Sequence, residues 1–237
     1  MPAISMLYRR AYKINDKISI IIPTVGEIID NEEEYYSLVS MVTSMPIDLQ
    51  VQLDDMGIDY TKVTEWDVFL ISFNVMKTHD TKLLFGELDL SLFELMKNEQ
   101  NQEIVLYDKQ DDIVIDRAIH DHMATVLRKI HHLQKNNRKP ANEEAKRFML
   151  ERERKKQKRK KKAESTSGLE NLIVALVNTE QFKYDFRSVL DISIYQFNES
   201  LKQIMKKINY DNLMRGVYAG TIDSKGMSPE ELSWLST

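Results

Sequence analysis

Apolar residues in the first 140 positions follow two different periods, which predicts a module that mixes strands with helices. Isoleucines in residues 14–22 alternate with polar residues up to Pro23, a pattern typical of a half-buried strand closed by a breaker. Residues 24–27 then read as a capping box, and the apolar positions after them follow helical spacing to about Thr43. Met45–Pro46 ends this predicted helix, and a shorter one follows from Ile47 to about Asp54.

The same mixture continues towards the middle of the chain. Thr64 is a predicted N-cap for a helix that runs to Met76. Residues 82–90 are predicted as a strand, and residues 91–96 as a short turn of helix. The apolar runs 103–107 and 113–115 flank a polar connection, so a β-hairpin is predicted there.

Beyond residue 115 the pattern changes to a purely helical period, and the chain is predicted to divide into segments. One apolar stripe predicts a helix from Asp116 to about Lys135, which closes an α+β module of residues 1–140. Residues 141–167 are predicted as a connector, with Asn142 capping a helix and Ser165–Gly168 as a hinge.

Residues 168–237 are predicted to form an all-helical module. Apolar residues line one face of a first helix, and a longer helix starts near Asp191. A separate short helix is predicted from Tyr210 to Tyr218, and Ser228–Glu231 is typical of a last helical turn. The fold class predicted for the whole chain is therefore α+β.

Charge is distributed very unevenly along this framework. Residues 146–162, called the basic segment below, contain eleven of the 33 Lys and Arg residues and only two of the 37 acids. The remainder carries 22 bases and 35 acids, a formal charge of −13. This asymmetry indicates a charged partner, or neutralisation of one part of the protein by another.

The second half of the basic segment is the candidate contact site. It contains seven cations, called the contact cations below: Lys155, Lys156, Lys158, Arg159, Lys160, Lys161 and Lys162. Crowded like charges leave such a helix marginal, so we expect it to be exposed until an acidic partner or the protein's own acidic surface orders it. Lysines can also neutralise nucleic-acid phosphates. A membrane surface is the third alternative, disfavoured because no apolar face accompanies the charge.

Composition restricts the classes of protein that remain. The hydrophobic fraction of 42% allows a real core, and seven Gly with five Pro favour helices over an all-β fold. Cysteine is absent, which excludes disulfides and thiolate chemistry. No apolar run is long enough for a signal peptide or a membrane span, so a cytoplasmic protein is expected.

Residues able to carry catalysis do not form a recognisable site. None of the histidine pairs has the i, i+4 spacing of a helical zinc site, and no phosphate loop occurs. Asp116 and His120 do have that spacing with each other, which favours a paired structural role. Asp108, Asp111 and Asp112 fit turn chemistry. We therefore predict no enzyme activity, cofactor or metal, although carboxylate sites assembled only by folding escape this argument.

Several segments resemble proteins encoded in tailed-bacteriophage morphogenesis clusters. The segments are Phe182–Asp185, Ile194–Ser200, Asn209–Asp223, Glu231–Leu235, Pro23–Ile29 and Leu84–Asp89. The likeness lies in their general character, since no diagnostic motif is present. Within such clusters the role most similar is that of a tail assembly chaperone. The resemblance implies a non-enzymatic protein that handles phage tail structural proteins in the host cytoplasm or within the virion, and it transfers no functional residues.

Overall fold

The computed structural model describes residues 5–98, 102–160, 168–228 and 233–235. Within these ranges the protein has the predicted α+β fold. The strands are β1 (Ala11–Lys13), β2 (Ser19–Ile21), β3 (Phe93–Lys97), β4 (Ile104–Asp108) and β5 (Ile113–Ile115). The helices are α1 (Val25–Ile29), α2 (Glu32–Thr43), α3 (Gln50–Asp55), α4 (Glu65–Met76), α5 (Lys82–Phe85), α6 (Arg117–His131), α7 (Glu143–Lys160), α8 (Gly168–Val177), α9 (Ser188–Asp191) and α10 (Ile194–Tyr218).

The strand predicted at residues 14–22 is confirmed only in part: β2 covers residues 19–21, and residues 14–18 form the turn of a β-hairpin with β1. Strands β1 and β2 pair antiparallel, with Tyr12 opposite Ile20, and the side chain of Ile20 is fully buried. The capping box after it is also confirmed, because Glu27 N donates to Thr24 Oγ1 at 3.2 Å and Thr24 N donates to Glu27 Oε2 at 2.6 Å. The predicted helix is split in two, since Asn31 leaves the helical region and starts α2 anew.

The segment between α4 and β4 differs from the prediction. Residues 82–90 were predicted as a strand, which is wrong: α5 occupies the first four residues and ends at Gly86, whose φ of +63° suits glycine. The adjacent residues Leu84 and Phe85 are both buried, whereas successive side chains of a half-buried strand would point to opposite faces. The helical turn predicted at 91–96 is confirmed only at its start, where a 3-10 turn covers Leu90–Leu92; β3 covers the rest and pairs antiparallel with β4.

The hairpin and the helix after it are confirmed. The described sheet has the order β3-β4-β5, and Tyr107 lies opposite Val114. Asp108 Oδ1 accepts a hydrogen bond from Gln110 N at 2.8 Å, as turn chemistry requires. Helix α6 ends at His131, a few residues before its predicted end.

The C-terminal segment is helical in its described part, with one correction. Residues 210–218 were predicted as a separate helix, but they continue α10, a single helix of 25 residues. A capping box formed by Ser193 and Gln196 starts this helix. Residues 161–167 and 229–232, which include most of the predicted hinge and last turn, lie outside the described residues.

One hydrophobic core joins residues on both sides of the connector. Phe69 and Leu127 lie in the same buried cluster as Ile173 and Phe197. Backbone hydrogen bonds cross the same boundary, since Val25 N donates to Ile192 O at 2.9 Å. The division at residues 1–140, 141–167 and 168–237 stays a prediction, but its outer segments pack together.

The start of α8 is also attached to the N-terminal segment. Leu169 N donates to Glu32 Oε1 at 2.9 Å, so a carboxylate from α2 satisfies a backbone amide in the first turn of α8. The positive end of the α8 dipole favours this negative charge. Helix α8 therefore starts from a contact that only the folded chain provides.

Candidate functional site

Helix α7, which carries the basic segment, starts as the sequence predicts. Asn142 Oδ1 accepts a hydrogen bond from Ala145 N at 2.8 Å. One turn later, Lys146 Nζ lies 2.8 Å from Asp59 Oδ1. This hydrogen bond, helped by those from Thr61, holds the pKa of Asp59 well below its usual range. The first turn of α7 is thus attached to the loop between α3 and α4.

The middle of α7 is attached by apolar contacts. Leu150 is 9% exposed and belongs to a second, smaller hydrophobic cluster. The other buried members come from α3, α4 and their flanking segments: Ile47, Val51, Leu53, Tyr60 and Val68. Met149 packs against the same cluster. The pair Met149–Leu150, the last apolar residues of this helix in the sequence, therefore does bind the helix to the body.

A third attachment lies one further turn along the helix. Arg154 Nη2 is 2.7 Å from Asp54 Oδ2 and 2.6 Å from Asp55 Oδ1. These two hydrogen bonds, that from Asp55 first, raise the pKa of Arg154. Lys146, Leu150 and Arg154 are four residues apart, so they leave the helix on one face. The expected docking of the basic segment onto the protein's own acidic surface is therefore present at its N-terminal half.

The contact cations lie beyond this third attachment, on exposed helix. Lys155, Lys156, Lys158 and Arg159 are all exposed. Lys156 Nζ lies 3.5 Å from Glu153 Oε2, whereas Lys155, Lys158 and Arg159 form no ion pair with any described residue. The remaining three, whose side chains lie outside the described part of the chain, are Lys160, Lys161 and Lys162. The structure thus brings four of the seven predicted residues together on one exposed surface.

Two residues of α7 that the sequence reasoning did not select share that surface. Phe148 is 65% exposed, and Arg152 is exposed one turn after it. Phe148, Arg152, Lys155 and Arg159 are separated along the sequence by four, three and four residues. This spacing is readable from the sequence and could have identified them, because it places all four on one side of a helix.

A cavity of about 770 Å³ lies between the starts of α4 and α6 and the loop before α7. At its edge Glu65 accepts hydrogen bonds from Arg128 and Lys135, the latter with Nζ 2.6 Å from Oε2. Its charged lining residues balance: Glu65, Glu103, Asp116 and Asp121 against Arg117, Lys135, Arg138 and Lys139. This balance selects neither an anionic nor a cationic ligand.

Asp116 and His120, predicted to pair, have separate partners. Asp116 Oδ1 accepts from Ile119 N at 2.8 Å and so caps α6. His120 Nε2 lies 3.0 Å from Val42 O, and its ring stacks on Phe69 with centroids 4.2 Å apart. Burial lowers the pKa of His120 to about 4, so the ring is neutral at pH 7. Both residues have structural roles here, as helix cap and core side chain.

Within the described ranges, no group of three or more His, Asp or Glu side chains is arranged to hold a metal ion. No described helix has the length and apolar content needed to cross a membrane.

The C-terminal part of the chain is similar to a known phage family. Residues 157–237 match the family model of the YomV second domain. That family is phage-derived and takes its name from the YomV-like proteins of Bacillus phage SPBc2. The match begins inside the basic segment and includes α8, α9 and α10. No curated protein and no solved structure matches the chain.

The family match confirms the predicted likeness to phage proteins at this coarse level. It covers roughly the last third of the chain, from Gln157 onwards. The tail assembly chaperone stays a prediction, because the family description names no function.

Proposed function

We propose that this protein is a non-enzymatic tail-morphogenesis protein of a bacteriophage, a tail assembly chaperone or a related tail component. It acts by protein–protein contact in the host cytoplasm, without a cofactor, and its partners are phage tail structural proteins. The phage-derived family matched by residues 157–237 supports the phage association. The resemblance of several segments to tail-morphogenesis proteins supports the assignment to tail assembly.

The exposed second half of α7 is the observation that carries the proposal. Its opposite face is held on the body at Lys146, Leu150 and Arg154, so the helix is positioned without using the contact cations. Charged groups that are presented in this way steer a complementary partner and determine its orientation. A protein whose remaining residues carry a formal −13 thereby offers one well-placed basic surface.

The experiment is a capture of tail components from phage-infected cells by the affinity-tagged protein. We expect tail structural proteins to be recovered, and a variant with all seven contact cations replaced by Gln to lose them. The matched control replaces seven exposed lysines elsewhere, which gives the same change in net charge: Lys82, Lys97, Lys109, Lys129, Lys183, Lys202 and Lys225. Recovery of no tail protein by the wild type, or equal loss in both variants, would contradict the proposal.

Nucleic-acid binding by the same helix is the second candidate function. The observation that favours it is that Lys155, Lys158 and Arg159 are exposed and form no ion pair within the described part of the chain. Such cations bind phosphates and release counterions, so the affinity would fall steeply with salt. A gel shift with mixed-sequence DNA and RNA over a salt series tests it. Tight, salt-sensitive binding that the seven-Gln variant loses would replace the first proposal with this one.

A further inference from the structure

We propose that the outward face of α7 docks an acidic amphipathic helix of a partner protein. This face, called the outer stripe below, consists of Phe148, Arg152, Lys155 and Arg159. The inference rests on the proposed function by protein contact and specifies the chemistry of the partner. Phe148 is the apolar anchor, and the three cations pair with carboxylates beside the partner's apolar residues.

The spacing of the outer stripe matches a helix–helix seam. Steps of four, three and four residues average about 3.7, close to the helical repeat of 3.6, so the four side chains stay within roughly one sixth of the helix circumference. They extend over about 16 Å at 1.5 Å per residue. A second helix lying along α7 meets residues with this 3–4 spacing in succession. A straight exposed row of this length suits two or three turns of a partner helix.

The exposed ring of Phe148 indicates that the contact has an apolar component in addition to its ion pairs. Its neighbours Met149 and Leu150 pack against the body, whereas the Phe148 ring is 65% exposed. An aromatic side chain covered at an interface is a common source of binding energy, and charged groups around it contribute mainly specificity. The long stems of Arg152 and Lys155 can cover further apolar surface of the partner while their charges stay in water.

The acids of the same helix favour an acidic protein helix over a nucleic acid. Glu144 and Glu151 are exposed and lie three or four residues from Phe148, so they border the outer stripe. A continuous phosphate chain along the stripe would be repelled by both carboxylates. A partner helix can place an apolar residue near Phe148 and confine its carboxylates to the Arg152–Arg159 half. The charge pattern of such a partner helix therefore complements that of the outer stripe.

The test uses two fluorescent helical peptides of identical composition, rich in Leu and Glu. In one the leucines follow 3–4 spacing with glutamates beside them, and in the other the order is scrambled. Fluorescence anisotropy with the full chain should show tighter binding of the patterned peptide. Phe148→Ala should weaken this binding about tenfold, the loss expected for an interface anchor worth about 1.4 kcal/mol. The combined Arg152→Gln, Lys155→Gln and Arg159→Gln variant should weaken it and flatten its salt dependence.

Phe186→Ala is the matched control, because that ring is 54% exposed and lies outside α7. It should leave peptide binding unchanged, and thermal unfolding should show that every variant stays folded.

Three outcomes would each overturn the inference: equal binding of both peptides, no effect of Phe148→Ala, or tighter binding of a mixed-sequence single-stranded oligonucleotide. If Phe148→Ala has no effect on the peptide while capture of tail proteins still needs the contact cations, the inference fails and the proposed function stands. If the patterned peptide binds as expected but no tail protein is captured, the proposed function fails and the inference about α7 stands.

Discussion

Two histidines of this protein lie where a protonated ring would lose favourable hydration. His120 is 1% exposed; its ring stacks on Phe69 and lies tilted against Trp66. His131 is partly buried, with Nε2 3.0 Å from the hydroxyl of Tyr35. Burial lowers the pKa of both imidazoles to about 4, below the ordinary value of 6.5. Between these two pH values the unfolded chain binds protons that the folded protein excludes.

The free energy of unfolding should therefore fall as the pH drops from about 6.5 towards 4, and be insensitive to these groups above pH 6.5. A fully realised shift at His120 corresponds to roughly 3 kcal/mol. Urea denaturation at a series of pH values measures this change in the free energy of unfolding. His131→Phe should reduce the pH dependence, whereas His122→Gln, at an exposed position, should leave it in place. A stability that stays constant over this interval would show that the rings are protonated in the folded protein.

Glu32 provides a second prediction for a single residue. Its carboxylate accepts the hydrogen bond from Leu169 N at 2.9 Å, so Glu32→Ala removes a cap from α8. We expect a loss of about 0.5–2 kcal/mol in the free energy of unfolding, as for other helix caps. Glu33→Ala changes the same charge in the same turn of α2, where the side chain is exposed, and serves as the control. Equal losses in both variants would assign the effect to the α2 dipole alone.

At the scale of the element, the second half of α7 depends on one surface contact. Arg154 with Asp54 and Asp55 is the last attachment described before the contact cations. Exposed ion pairs contribute only about 0–1 kcal/mol and are weakened by salt. Arg154→Gln should therefore raise amide hydrogen exchange in residues 152–160, and salt should do the same in the wild type. Lys158→Gln removes an equal charge without an ion pair and should change exchange little; an equal rise would refute the attachment.

The elements also show what the sequence can and cannot predict. The capping box at Thr24 and the N-cap at Thr64 were readable because their partners lie three residues away. The structure of segment 82–90 could not be predicted in this way. The spacing of Leu84 and Leu88 fits a strand and a helix equally well, and only the burial of Phe85 beside Leu84 in the folded protein distinguishes the two. For the candidate site, the cations, and the exposure of the four whose side chains the structure describes, followed from composition. The pairing of Arg154 with Asp54 joins residues 100 positions apart, which no local pattern encodes.

For the molecule as a whole, the shared core determines the response to cleavage. Ile173 and Phe197 are buried in the same cluster as Phe69 and Leu127. A specific protease site placed within residues 161–167 should therefore give two fragments that stay associated. The fragments should elute together in size-exclusion chromatography and separate only in denaturant, because separation would expose this apolar surface to water. Independent elution of two folded fragments would instead confirm two modules with separate cores.

The hydrogen bond from Val25 N to Ile192 O, 2.9 Å long, has a consequence during synthesis. A ribosome that adds roughly 5–20 residues per second needs about 8–35 s to proceed from one residue to the other. Helices and hairpins form within microseconds, but the early elements gain their packing partners on α10 only after this interval. Until then their apolar surface is open to water and to other nascent chains. Translation speed and the chaperones at the ribosomal exit should therefore influence the yield of this protein more than the rate of any later folding step.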